Sequence, residues 1–242
     1  YLHFIRGMLN RETFLESEEV FERLLEGIEE TDSAIYVDTI ISPSMASALA
    51  QSLQVPGVSG MENNTILFEF SVHDPPEVLD EVMQGCTLAS APRMNRLVLR
   101  HSDHFFGNRK NIHLWLTWND YRNANLMILL AYILLGHPDW EGAEIHIYAA
   151  FPYQEVETQT TRLNEMIAEG RLPIARKNLQ IIPTDDRVDF VSLVERRSHA
   201  ADLVILGFTE ARLKEKGKEL LLRHPKLQDV LFVSAEETIF IE

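Results

Sequence analysis

Four short clusters hold the side chains that chemistry would need. His101-Ser102-Asp103-His104 puts two imidazoles and a carboxylate within four residues, the donor types that bind zinc. Their contiguous order lacks the spacing that turns ligands toward one ion, so the run reads as a polar connector. Asn119-Asp120 follows an apolar run, where open parallel sheets hold ligands beyond their strand ends. Asp120 there is placed to orient a ribose or a basic partner, or, with Asn119, to cap the following helix. Gly207 and Phe208 close another apolar run in the same way, so Asn119, Asp120, Gly207 and Phe208 form the candidate ligand crevice. Asp185, Asp186 and Asp189 gather at a third strand end. Without the ordered ligand loop of a calcium site they read as a solvated turn and helix start. Ser59 in Gly57-Val58-Ser59-Gly60 falls short of a nucleophile elbow, and no His and acid complete a triad around it. The expectation is a chain with no catalytic set and no metal set.

Two further groups bear on partners. Arg212, Lys214, Lys216 and Lys218 alternate with Glu210, Glu215 and Glu219, the pattern of a solvent face laced by salt bridges. The alternative is a basic patch facing a membrane domain or lipid heads. Trp115 and Trp118 flank a strand end; one buried and one partly exposed ring are expected. Trp118 is the candidate interface residue, because exposed aromatics favour interfaces.

The bulk composition narrows the classes. Against 37 Asp and Glu stand 22 Lys and Arg, a net charge of −15, which repels phosphate backbones and argues against a nucleic-acid partner. Cys86 is the only cysteine, so neither an intramolecular disulfide nor a cysteine zinc site is expected, and a reducing, cytosolic compartment fits best. The longest apolar run, Leu126 to Leu135, is about half the ~20 residues that cross a bilayer; it reads as a buried helix, and no membrane span is expected. A chain of 242 residues lies near the length at which one core divides into two. An apolar run directly after Tyr1, with no leader pattern, leads to the expectation of a piece of something longer.

The elements that must position these side chains alternate. Short Val-, Ile-, Leu- and Phe-rich runs of the length of doubly buried strands lie at 2–8, 34–41, 65–72, 96–101, 112–117, 144–150, 179–183, 203–208 and 230–234, with a short tenth at 238–241. Helical periods fill 12–29, 44–53, 75–83, 125–135, 157–169, 188–199 and 213–223 between them. Such alternation predicts parallel sheets flanked by helices.

The order repeats. The strand 65–70, a helix and the strand 96–100 correspond to 203–208, a helix and 230–233, and 34–41 with its helix corresponds to 179–183 with 188–199. Two tandem doubly wound halves are predicted, 1–108 and 109–242. The first half opens at its second strand and lacks a first strand and helix. Preceding residues of the native chain are expected to fill that place, because a gap beside a central strand leaves backbone groups unpaired.

Two resemblances follow from particular residues. Ala201-Asp202-Leu203-Val204-Ile205-Leu206-Gly207-Phe208, a helix ending Leu220-Leu221-Leu222-Arg223-His224-Pro225, and Asp229-Val230-Leu231-Phe232-Val233 resemble the closing unit of universal stress proteins. The nucleotide-binding members of that family carry a glycine-rich loop after this strand, where this chain has Phe208-Thr209-Glu210-Ala211-Arg212. Asn111-Ile112-His113-Leu114-Trp115-Leu116-Thr117-Trp118-Asn119-Asp120, the apolar helix from Leu126, and Trp140-Glu141-Gly142-Ala143-Glu144-Ile145-His146-Ile147-Tyr148 resemble the cytoplasmic carboxyl-terminal domain of cation-chloride cotransporters, of prokaryotic type. Asp120 is followed by Tyr121-Arg122-Asn123-Ala124 instead of the paired glycines of members from higher organisms. The long phosphorylated insertions are missing as well.

The second resemblance implies a non-catalytic regulatory domain on the cytoplasmic side of the cell membrane. Its partners would be the transmembrane domain of the same transporter and a second copy in a homodimer, with no cofactor. The alternative from the first resemblance is a sensor that binds ATP or another adenine nucleotide in the crevice.

Overall fold

In a computed structural model, described for residues 1–29, 35–55, 63–117, 120, 122–168, 176–185 and 187–237, the alternation of the sequence becomes nine strands and eight α-helices among the described residues. In chain order they are β1 (Leu2–Arg6), α1 (Arg11–Glu29), β2 (Asp38–Ser42), α2 (Met45–Ser52), β3 (Thr65–Ser71), α3 (Pro76–Ala89), β4 (Asn95–His101), β5 (Asn111–Thr117) and α4 (Ala124–Leu135). They continue as β6 (Glu144–Pro152), α5 (Val156–Ala168), β7 (Leu179–Thr184), α6 (Phe190–Ser198), β8 (Leu203–Gly207), α7 (Glu210–Lys216), α8 (Glu219–Leu222) and β9 (Val230–Ser234). None of these helices is long and apolar enough to cross a membrane. The tenth strand expected at 238–241 lies outside the described residues.

The chain divides into two units, residues 1–64 with 83–93 and residues 65–82 with 94–242. The first contains the two-stranded parallel sheet β1–β2 with α1 and α2 against it. Asn10 starts α1 by accepting the backbone N–H groups of Glu12 and Thr13. Ser44 starts α2 by accepting that of Ser47 at 3.2 Å, each satisfying donors that have no partner within the helix.

The second unit is organised by a seven-stranded sheet in the order β3-β4-β9-β8-β5-β6-β7. Every pairing in it is parallel except β4–β9. One face carries Ile112, Leu114, Leu116, Ile145, Ile147, Leu203, Ile205 and Val233 into a core with Met127, Ile128 and Ala131 of α4 and Leu163 of α5. On the other face Trp115 meets Phe190 of α6 edge to face at 5.7 Å and donates Nε1–H to Ser198 Oγ at 2.9 Å. Burial on both sides is what an unbroken aliphatic strand requires.

The repeat expected from the sequence has a geometric form at the centre of this sheet. Val98 pairs with Phe232, flanked by Leu97–Val233 and Leu99–Leu231, a register that maps onto itself when β4 and β9 exchange places. Outside them, Ile66 faces Arg96 as Val204 faces Val230. Through the β4–β9 ladder, β3 and β4 join the same sheet as the strands that follow residue 108.

Two helices differ from expectation. α3 runs past Met83 to Ala89 through Gly85; burial of Cys86 and Ala89 outweighs the ~1 kcal/mol cost of a helical glycine. The single helix expected over 213–223 is two, because Gly217 at φ +55° ends α7 in a conformation that glycine adopts without steric cost. The connector after β4 is folded by two buried carboxylates. Asp229 accepts the Ser102 and Phe106 N–H groups, and Asp202 accepts those of Asn108, Lys110 and Asn111.

Candidate functional site: the crevice beyond β5 and β8

β5 and β8 lie side by side and parallel. From β5 the chain steps outward through β6 and β7, then returns to β8 on the other flank. This reversal makes the carboxyl ends of β5 and β8 the topological switch point, where open α/β sheets hold ligands. Thr117, Asp120, Gly207 and Arg212 line the space there, with Trp115, Leu206, Phe190, Leu220, Arg223, His224 and Phe232.

The crevice is closed by the protein's own side chains. Asp120 is buried; its Oδ2 accepts the Thr117 N–H at 2.9 Å and the Thr117 hydroxyl at 2.5 Å, and Oδ1 accepts Asn123 Nδ2 at 3.4 Å. Asn123 also donates to the Phe208 carbonyl at 3.0 Å and accepts the Ala235 N–H at 2.9 Å, fastening the turn after β5 to the ends of β8 and β9. Gly207 is the close-approach position. A Cβ there would lie 1.9 Å from Asp120 Oδ1, so only glycine leaves the carboxylate its place. Burial raises the Asp120 pKa above the usual carboxylate range, opposed by the hydrogen bonds from Thr117 and Asn123. Among the described residues the cavity that remains is about 30 Å³, room enough for ordered water.

Of the residues singled out from sequence, Asp120, Gly207 and Phe208 are thus brought together by this fastening. Neither Asp120 nor Asn123 caps α4; Asp120 turns back to Thr117, and Asn123 makes no side-chain cap bond. Trp118 and Asn119 lie outside the described residues, as do Ser59 and Asp186. Trp115 is the buried ring, stacked on Tyr148 at 4.7 Å between centroids. Of the other acids, Asp189 caps α6 by accepting the Val191 and Ser192 N–H groups, which with the Ser192 hydroxyl hold its pKa below the usual range.

The remaining clusters are also accounted for by local bonds. His101 stacks on Phe105, and Asp103 pairs with His73 at 3.0 Å. The lysines of the basic run are paired: Lys214 with Glu210, Lys216 with Glu215 and Lys218 with Asp80.

Sequence reasoning missed two features. Arg212, Arg223 and His224 line the crevice, and burial together with Arg212 lowers the Arg223 pKa. Burial likewise lowers His224 to about 4, so it is neutral at pH 7. The other feature is Arg100, buried at 2% exposure. It donates to the carbonyls of Leu221, Arg223, His224 and Leu227 at 2.9–3.3 Å, taking up acceptors at the end of α8 and in the turn after it. Desolvation brings it down to about 10, with Asp229 as the nearest compensation. Nothing local in the sequence marks an arginine on a central strand for this part.

The mostly parallel seven-stranded sheet flanked by helices is similar to the α/β fold of universal stress proteins. Two solved structures of that class match: a putative universal stress protein from Pseudomonas aeruginosa UCBPP-PA14 (15% identity, 96% of this chain and 81% of that one, TM-score 0.57) and a universal stress protein from Archaeoglobus fulgidus DSM 4304 (10% identity, 98% and 84%, TM-score 0.53). The cytoplasmic domain of a prokaryotic cation chloride cotransporter matches over 99% of this chain and 86% of its own, at 14% identity and TM-score 0.61. No family model and no curated protein matches the sequence. At these identities the likeness is one of fold, and function has to be argued from the site.

Proposed function

We propose that this chain is the cytosolic regulatory and dimerisation domain of a membrane cation-chloride cotransporter. In this reading it is non-catalytic and stands on the cytoplasmic side of the membrane, with residues 1–108 and 109–242 as successive versions of one unit. The observation that carries the reading is the pairing of a fold likeness over 99% of the chain to such a domain with a switch-point crevice closed by Asp120, Asn123 and Gly207. Function then lies in docking to the transmembrane domain and to a second copy. A docked domain biases a transporter only by making different contacts with its alternative states.

The test is made on the intact transporter and on the isolated domain. Deletion of the domain is expected to change ion flux per transporter at the membrane, and the isolated domain is expected to sediment as a dimer. Unchanged flux together with a monomer at high concentration overturns the proposal.

The second reading, an adenine-nucleotide sensor, draws support from Arg212 and Arg223 at the crevice. A nucleotide at 100 times its dissociation constant stabilises by about 2.7 kcal/mol. A thermal shift of that order with ATP, ADP or AMP would favour the sensor; no shift is expected for the scaffold.

A further inference from the structure

The net charge of −15 is unevenly spread along the chain. Between residues 187 and 226, nine Lys and Arg stand against six Asp and Glu, a local excess of positive charge in an acidic protein. The stretch contains α6, α7, α8 and the turn after them. That turn meets α6 at Glu195: the Lys226 N–H donates to one carboxylate oxygen at 3.2 Å, and the Lys226 ammonium stands 3.7 Å from the other. Beside this contact runs an open groove of about 460 Å³, lined by Ser192, Glu195, Arg196 and His199 of α6 and by Lys226. The four helix positions are spaced i, i+3, i+4 and i+7, which places them on one face of α6.

The charges around the groove are unequally satisfied. Glu195 is buried at 6% exposure, already holds Lys226, and lies close enough to Arg100 to share its field. Lys214, Lys216 and Lys218 of the same stretch are each paired with a carboxylate. Arg196 is exposed and has no carboxylate within salt-bridge reach among the described residues. Its guanidinium and the Lys226 ammonium reach water while their methylene stems offer apolar surface. The neutralising charge that Arg196 lacks has to come from outside this unit.

From this we infer that the groove along α6 docks an acidic, partly apolar peptide segment of a partner protein. The segment sets carboxylates on Arg196 and Lys226 and lays its apolar side chains along the stems between them. Charge selects this occupant: a chain of net charge −15 repels an acidic partner unless the partner meets a surface of opposite sign, and such a surface steers the encounter.

The 242-residue chain is titrated into a fluorescein-labelled peptide of glutamate and leucine, with fluorescence anisotropy as the readout, beside Arg196→Glu and Lys216→Glu. The two substitutions change the net charge equally, and Lys216 lies on α7, outside the groove. The peptide is expected to bind, about tenfold or more weakly to Arg196→Glu and almost unchanged to Lys216→Glu. Circular dichroism checks folding, and Arg196→Gln, with a smaller loss in the same direction, is read instead if glutamate there prevents it. Equal losses in the two variants overturn the inference, because a diffuse field then holds the peptide; so does the absence of binding to the folded wild type. Cosedimentation with phosphatidylserine–phosphatidylcholine vesicles, or self-association of the chain, that Arg196→Glu abolishes also overturns it, since a lipid surface or a second copy then fills the groove.

Discussion

Replacing Gly207 by alanine tests the closed crevice directly. The backbone of Gly207 is not in the left-handed region, so alanine is conformationally acceptable, and in open space it would stabilise slightly by restricting the unfolded chain. In this structure the new Cβ would stand 1.9 Å from Asp120 Oδ1, 2.6 Å from its Cγ and 3.0 Å from Asn123 Nδ2. Relief requires the carboxylate to retreat by more than about 1 Å, beyond the reach of good hydrogen bonds, which breaks its bonds from Thr117 at 2.5 and 2.9 Å. Overpacking costs about 1–3 kcal/mol and loss of hydrogen bonds to a charged group about 1.5–3 kcal/mol. Gly207→Ala should therefore destabilise by about 3–5 kcal/mol. Urea unfolding followed by circular dichroism measures the cost, and a cycle with Asp120→Ala identifies its origin. With Asp120 shortened the two closest contacts disappear and only the Asn123 amide at 3.0 Å has to give, so the second substitution should cost about 1 kcal/mol or less. A small cost in the wild-type background, or additive costs in the double variant, refutes the reasoning.

Arg100→Met removes the donor shared by four carbonyls and the charge that faces Asp229; a loss of about 3–5 kcal/mol is expected, read as a lower urea midpoint at unchanged slope. His113 and His224 are both held near pH 4 by burial, against about 6.5 when unfolded. Below 6.5 the unfolded chain takes up protons that the folded chain refuses, so stability falls as pH drops from 7 toward 4, at up to about 1.4 kcal/mol per pH unit for each histidine. His113→Gln with His224→Gln should flatten that slope in urea titrations at pH 7 and 5. Ser198→Ala leaves the buried Trp115 N–H without its acceptor and should cost about 1–3 kcal/mol, with a shift in tryptophan emission as the companion signal.

The strands of the second unit were legible because each is a short run rich in Val, Ile, Leu and Phe; 230–234 was expected and found to the residue. The likeness of 65–70 to 203–208 was legible as two apolar-rich runs, which flank the central β4–β9 pair. What the runs do not encode is their partner. Nothing in Arg96-Leu97-Val98-Leu99-Arg100 names β9, more than a hundred residues away, as the antiparallel neighbour. In the crevice, Asp120 and Gly207 stood out by type at strand ends. Their mutual contact did not, because it depends on a turn that brings the carboxylate back over Thr117. The carbonyls around Arg100 come from residues whose side chains play no part in holding it, so the side-chain pattern carries no trace of them.

The antiparallel ladder has a consequence for biosynthesis. β9 follows every other strand of the large sheet in chain order, yet it sits third from one side, between β4 and β8. Until residues 230–234 have left the ribosome, β4 and β8 each expose a complete row of backbone donors and acceptors toward a vacancy at the heart of the fold. Such long-range closure is slow, and the nascent polypeptide spends that interval exposed to aggregation. The large sheet therefore closes only when its keystone strand arrives, after every other strand of that sheet is already in place.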